Sequence, residues 1–471
     1  MTSPSDPRPD YGTTYSRYIV RPDGSDLNSG AWSEWYDGSG VGVDRSNSAT
    51  AHVVFDGTAI TGTKTGGSTL QIGGSTGYTV SNSDTGNTVW LYFTTSDKWI
   101  QTIIYTVDTS TNTWNFYTSA LSTISTGDTV GQGRMGGSLA TLGEASARVQ
   151  HYNSIYVQTG TTYTLSTASL SSTSNCGVSG GPFNSSYSGL MIAAYHTTPG
   201  DFGSDPNTRA IIDSGSTTSS GYTVPMIHGN TSNDNSFIGL ELRGNSNWDY
   251  GAYSGRFVQV VCKDFVDVGF AFGKSHISCT ASGCGKGFRS TNACECLAMD
   301  CTDGFYICTA FRSAASGCSG YGFYAWGGTT GPGLTYCAAH DCGTGFHGTS
   351  WNDVSVGCVA TSCTLGSSYL LMDSGQAFWN CTTNEYSGAG ANDRYGMRYG
   401  TQLTQNPFND PDAGDFSLND TAGGGAEIDD TMSNWAAGAI AGPQQQQTPL
   451  VESSGGGSTT VVTPGPVQIG M

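Results

Sequence analysis

The chain has 471 residues, of which 68 are glycine and only 12% are charged, with a formal charge of −19. An acidic chain poor in Lys and Arg disfavours nucleic acid or an anionic membrane as partner. No apolar run reaches the roughly 18 residues needed to span a bilayer.

Residues 1–49 form an N-terminal arm and the first strands. The opening "MTSPSDPRPDYGTTYSRYIV" lacks the basic-then-apolar pattern of a signal peptide, so export by another route or assembly inside a cell is expected. Residues 50–125 alternate polar and apolar side chains in "TLQIGG", "TVWLYFTT", "KWIQTIIYTVD" and "TWNFYTS". That period of two predicts a small antiparallel β module with Trp90, Trp99, Trp114 and Phe116 in its core. "VDTSTNTWN" reads as the turn of a hairpin. Further on, Ser138 is placed to cap a short helix whose Leu139, Leu142, Ala145 and Val149 share one face. Such a helix would cover the open end of a strand stack.

From 126 to 425 a repeat governs the chain. Gly-Phe pairs end at Phe270, Phe288, Phe305, Phe323 and Phe346, in steps of 18, 17, 18 and 23. A period near 20 that tolerates insertions marks stacked supersecondary units. "FVQVVCKDF", "HISCTAS", "ACECLAMD", "LTYCAAHD" and "VSVGCVATS" are short strands broken at similar places by Gly or polar residues. The leucine frame of a leucine-rich repeat is missing, which leaves a parallel β-helix. Thirteen of the 14 cysteines lie between Cys262 and Cys381. Stacked rungs sit about 4.8 Å apart, and a narrow interior favours small apolar side chains. Cys279, Cys284, Cys296, Cys301, Cys318, Cys337, Cys342, Cys358 and Cys363 are therefore expected to form an inward column. Cys-x4-Cys puts both sulfurs inside if a corner lies between them. Disulfides and a zinc site are the alternatives, but the spacing does not suit a zinc site. No metal and no cofactor is expected.

"YIVRPDGSDLNSG", "GRMGGSLATLGEA", "NSIYVQTGTTYTL", "AAYHTTPGDFG" and "NPFNDPDAGDFSLN" resemble signatures of right-handed parallel β-helix proteins of the pectate-lyase-like class. Many such chains are uncharacterised proteins of environmental bacteria and phages. The resemblance spans roughly residues 15–425, with 50–118 as an insertion. It implies an all-β fold: a right-handed parallel β-helix with an N-terminal capping helix and an inserted antiparallel module. It leaves activity open, since the same coil serves lyases, hydrolases, tailspikes, adhesins and passive shells.

A lyase or hydrolase would need acids clustered on one outer face. Asp300, Asp303, His340, Asp341, His347 and Asp353 are the weak catalytic candidates. Asp300 and Asp341 occupy equivalent corners with Gly317 between them, and an Asp at a turn satisfies its own backbone. The hydrolase signature Gly-His-Gly is off by one residue in "GFHG", and Asp429–Asp430 lies outside the repeat. Tyr321, Tyr324, Trp326 and Trp351 are candidates for stacking on sugar rings. After 426 comes a Gln-, Gly-, Ser- and Pro-rich extended tail. In it Val461, Val462 and Ile469 are candidates for an assembly arm.

These features point first to a structural, non-catalytic protein of an extracellular assembly. That means a virion tail spike, fibre or capsid-surface protein, or a cell-surface filament or adhesin. The alternatives are a polysaccharide lyase or glycoside hydrolase, and a glycan-binding module without turnover. The expected partners are further copies of the chain or other structural proteins of the same particle, with surface glycans as a further possibility. The expected location is the virion or the cell surface.

Overall fold

The structure is a computed structural model that describes residues 17–33, 41–116, 121–148, 154–165, 190–202, 208–216, 225–228, 235–324, 333–347, 354–356, 358–368, 371–372, 377–379 and 401–426. Its main body is a parallel β-solenoid made of a 12-stranded, an 11-stranded and an 8-stranded sheet. One rung shows the path. Ser275–Ile277 lies in the first sheet, Thr280–Ser282 in the second and Lys286–Arg289 in the third, and Asn292–Cys294 returns to the first.

Among the described residues, most corners from Gln259 onward are turned by one residue in the left-handed region. Ser278, Glu295, Arg312 and Tyr336 turn from the first sheet to the second. Asp264, Gly283, Asp300, Gly317, Asp341 and Ser362 turn from the second to the third. Phe272, Ser290 and Ile307 turn back, and φ is 46–64° throughout. A side chain there is strained, but the corner keeps the inter-rung ladder intact. Asp300 N–H donates to Ser316 O at 3.0 Å, and Ser278 N–H to Cys294 O at 3.0 Å.

The interior is filled by in-register columns. Phe270, Phe288, Phe305, Phe323 and Phe346 stack with ring centroids 4.9, 4.7, 4.6 and 5.2 Å apart. Rings reaching across a narrow coil need small partners, and Ala281, Ala298, Ala315 and Ala339 line the second sheet in register. The Gly before each Phe has the same cause. A Cβ on Gly287 would sit 2.7 Å from Gly304 O and 3.0 Å from the Ala298 Cβ.

The repeat's cysteines come directly after the corners. Cys279, Cys296, Cys337 and Cys358 succeed the first corner and Cys284, Cys301, Cys318, Cys342 and Cys363 the second; all are buried. The described cysteines are thiols, not disulfides. Each has a task the repeat alone does not reveal. The Cys301 S–H points to the Met299 carbonyl at 3.3 Å, Cys342 to His340 O at 3.2 Å and Cys279 to Ile277 O at 3.4 Å. The thiol thus satisfies the carbonyl two residues back, just before the turn. Ser313 does the same with its hydroxyl, 3.1 Å from Phe311 O.

A 7-stranded antiparallel sheet is inserted between Trp32 and Leu139. Thr88–Phe93 pairs with both Lys98–Asp108 and Thr129–Met135, which closes six of the strands into a small barrel, and Val53–Phe55 pairs with Thr129–Met135 alone. The barrel runs to Met135, beyond the boundary at 125 expected from the sequence. Trp114 and Phe116 lie in its core, but Trp90 and Trp99 do not. Val89, Leu91 and Phe93 take the inner positions of their strand, so alternation turns Trp90 outward.

The helix spans Leu142–Arg148. Ser138 does not cap it; its hydroxyl donates to Ser48 O at 3.0 Å. Thr141 Oγ1 accepts instead from Glu144 N at 3.2 Å. Leu139, Leu142 and Ala145 join the coil's core, whereas Val149 lies outside the described residues.

The coil also ends earlier than 425. After the last strand, Thr401–Gln402, the chain leaves the rungs. Phe408–Asp410 and Asp415–Leu418 form an antiparallel hairpin. This strap covers the outer face of the second sheet, packing Leu403, Phe408 and Phe416 on Leu297, Ala314, Ala338 and Val359. Among the described residues no helix is long and apolar enough to cross a membrane.

Candidate functional site

The outer face of the third sheet gathers most of the expected site residues that can be placed. In the strands Lys286–Arg289, Asp303–Tyr306, Tyr321–Tyr324 and Thr344–His347, the two central residues face inward and the two end residues outward. Rung stacking therefore lines up Arg289, Tyr306, Tyr324 and His347 in one column. Lys286 and Asp303 share a second column, and Tyr321 is in register there with Thr344.

One half of this face is aromatic. Tyr306 and Tyr324 stack at 4.7 Å, and Tyr324 stacks on His347 at 5.1 Å. Tyr321 leans across both, 5.2 Å from Tyr324 and 4.8 Å from His347. The stacked rings cover one another's faces, so this column offers ring edges and hydroxyls rather than the flat platform expected from the sequence. Trp326, Trp351 and Asp353 lie outside the described residues.

The other half is a charge network around Asp267. Its carboxylate accepts from the Tyr250 hydroxyl at 2.7 Å and from Lys286 Nζ at 3.0 Å, with Arg289 at 3.9 Å. Burial alone would raise this carboxyl. The Tyr250 hydroxyl and the Lys286 ammonium outweigh it and hold the group below the usual carboxylate range. Lys286 also lies 5.5 Å from the centre of the Tyr306 ring.

The catalytic candidates do not converge. Asp300 and Asp341 are exposed corner residues between the second and third sheets. Along that edge Asp264, Gly283, Asp300, Gly317 and Asp341 alternate carboxylate with glycine. A Cβ on Gly317 would meet the Asp300 carboxylate at 2.7 Å, and one on Gly283 that of Asp264 at 2.5 Å. The alternation makes room for each Asp and separates like charges. Asp303 accepts from Tyr321 N at 3.1 Å, tying one rung to the next. His340 lies under the strap, on another face. Its Nδ1 pairs with Thr361 Oγ1 at 2.7 Å and its Nε2 with Asp412 Oδ1 at 3.0 Å. His340 therefore fastens the strap and is removed from the candidate site.

The Cys308 thiol is unsuited to chemistry: burial pushes it up to about 12, and a buried thiol is inert. Among the described residues no group of three or more His, Cys, Asp or Glu is arranged to hold a metal ion.

Sequence reasoning missed Tyr306 and Lys286 as members of this face. The signal was present: the residue after the last four Gly-Phe pairs is Arg289, Tyr306, Tyr324 and His347 in turn.

No family model matches the sequence, and no curated protein matches it. Among solved structures, the chain is similar to pectate lyase Pel9A at 15% identity and a TM-score of 0.28, covering 53% of this chain and 72% of that one. It is also similar to the tailspike protein gp49 of Pseudomonas phage LKA1 at 10% identity and a TM-score of 0.14, covering 70% of this chain and 59% of that one. Scores this low carry no argument about this chain.

Proposed function

We propose that this chain is a structural, non-catalytic protein of an extracellular assembly: a virion tail spike, fibre or surface protein, or a cell-surface filament or adhesin. The observation that carries this reading is the solid interior, with phenylalanine, alanine and cysteine columns in register from Cys262 to Cys363. Such a coil is a stiff scaffold. In this reading it is right-handed, as parallel crossover connections almost always are. The helix Leu142–Arg148 caps its first rungs, and the acidic surface keeps the particle soluble. Val461, Val462 and Ile469 become buried against a neighbouring subunit. Electron microscopy of native material with antibody labelling tests the reading. Labelled filaments or virion projections that fall apart when residues 448–471 are deleted support it. A free monomer that releases unsaturated sugars from a polysaccharide overturns it.

A second reading is glycan binding without turnover on the third sheet, favoured by the tilted Tyr321 beside the Tyr324–His347 stack. A glycan array with hits that vanish in Tyr324→Ala supports it, and a blank array counts against it.

A further inference from the structure

The barrel carries a surface that neither reading uses. Across three neighbouring strands its outer face presents two rows of three. Gln132, Tyr92 and Trp99 lie opposite one another in the first row, and Arg134, Trp90 and Gln101 in the second. Alternation explains the direction, because the intervening Leu91 and Ile100 fill the core. It does not explain why large aromatic side chains stand outside. None of Trp90, Tyr92 and Trp99 belongs to the core cluster, and clustered outward aromatics are the informative exception on a protein surface.

The two rows differ. The second is fastened to the start of the coil: Arg134 donates to Asn28 Oδ1 at 3.0 Å, and Gln101 Nε2 reaches the Tyr18 hydroxyl at 3.4 Å. The first row lies towards the tip of the hairpin, where Gln132 is exposed and Tyr92 and Trp99 are partly so. Its rings are held in place before any ligand arrives. Trp99 stacks on Trp90 at 5.2 Å with planes 17° apart, and the Tyr92 hydroxyl donates to Asp97 Oδ1 at 2.8 Å. Fixed aromatic side chains bind at little cost in conformational entropy.

We propose that the row Gln132–Tyr92–Trp99 is a binding site for a neutral hexopyranose glycan. A pyranose ring packs its apolar face against the outward edges of the Trp99 indole and the Tyr92 phenol, whose rings lie 5.4 Å apart and tilted by 40°, while the Gln132 amide and the Asp97 carboxylate serve its hydroxyls as donor and acceptor. Charge selects the class. Asp97 beside the row and the net charge of −19 disfavour uronic acids, sulfated sugars and nucleic acid. Arg134, in the neighbouring row, is already directed at Asn28. This inference is separate from the third-sheet reading and stands or falls without it.

The test is affinity electrophoresis of the full chain through gels containing a neutral β-glucan or a mannan, with tryptophan fluorescence titration of the same polymers. Retardation should occur with at least one neutral polymer. It should fall tenfold or more in Trp99→Ala, fall several-fold in Gln132→Ala, and persist in Tyr324→Ala. The exposed Gln132 provides a variant that folds even if the tryptophan change disturbs the hairpin. Retardation unchanged in both Trp99→Ala and Gln132→Ala overturns the proposal. So does failure of the wild-type chain to bind any neutral polymer, or preferential binding of an acidic polymer or a proline-rich peptide. Loss in Tyr324→Ala alone would transfer the binding to the third sheet.

Discussion

In the barrel, inward and outward residues alternate except where the register shifts at Tyr92–Phe93 and Ile104–Thr106, and large side chains such as Val89, Leu91, Phe93 and Trp114 meet in one compact cluster. In the coil, the interior is a set of columns, nearly uniform in residue type in the second and third sheets, and the corners favour a small side chain just after them. A barrel residue is chosen by its neighbours across the core, a coil residue by its equivalents one rung above and below. Damage should therefore spread differently: around a point in the barrel, along the axis in the coil.

The largest effect is expected from the aromatic columns. Phe305→Ala opens a void between Phe288 and Phe323 and should cost about 3–5 kcal/mol. Trp114→Ala in the barrel should cost a similar amount and also remove one donor from the buried Asp84, which accepts from the indole at 2.9 Å and keeps the Tyr78 hydroxyl and Ser81 N–H. Hydrogen exchange separates the two cases. Phe305→Ala should raise exchange over several rungs and leave the barrel protected, and Trp114→Ala should do the reverse. Uniform loss of protection in both would refute the contrast.

Next comes acid. His276 takes a phenylalanine's place in the first sheet's inward column, 5.1 Å from the Phe257 ring. Burial pushes its imidazole down to about 3. Its folded value lies below that of the unfolded chain, near 6.5, so between those values the unfolded chain binds more protons. Stability should then fall as the pH drops from about 6.5 to about 3. Urea midpoints at pH 7 and pH 4 check this, and His276→Phe should shrink the difference between them.

The corner thiols give a smaller effect that sharpens the comparison. Cys301→Ser keeps a donor for the Met299 carbonyl, as Ser313 does for Phe311, and should cost about 1 kcal/mol or less. Cys301→Val removes the donor and adds volume, for about 1–3 kcal/mol. Equal losses by denaturant titration would mean that the thiols act by volume alone. The smallest effect belongs to the corner residue. Asp300→Gly should be nearly neutral, whereas Asp300→Ala should cost about 1 kcal/mol, because alanine resists the left-handed conformation.

Much of the coil was legible because a repeat states its geometry many times over. The Gly-Phe spacing located the ring stack, and Asp300, Gly317 and Asp341 were recognisable as equivalent turns. Single-copy features were not legible. Nothing in "KWIQTIIYTVD" says which of Trp99 and Ile100 faces inward, since both residues are apolar and only closure of the sheet decides. His340 looked like a catalytic candidate because the strap that buries it lies about 70 residues further along the chain. The donor role of the cysteines was hidden because small size alone already accounted for them.

The alternation of Asp264, Gly283, Asp300, Gly317 and Asp341 has a mechanical corollary. With rungs about 4.8 Å apart, fixed negative charges recur roughly every 10 Å down one edge, close to the Debye length of about 8 Å in physiological salt. Two rods laid side by side on those edges would repel along their whole contact, so lateral bundles should turn them to the outside. Rod spacing in such a bundle should tighten as monovalent salt is added.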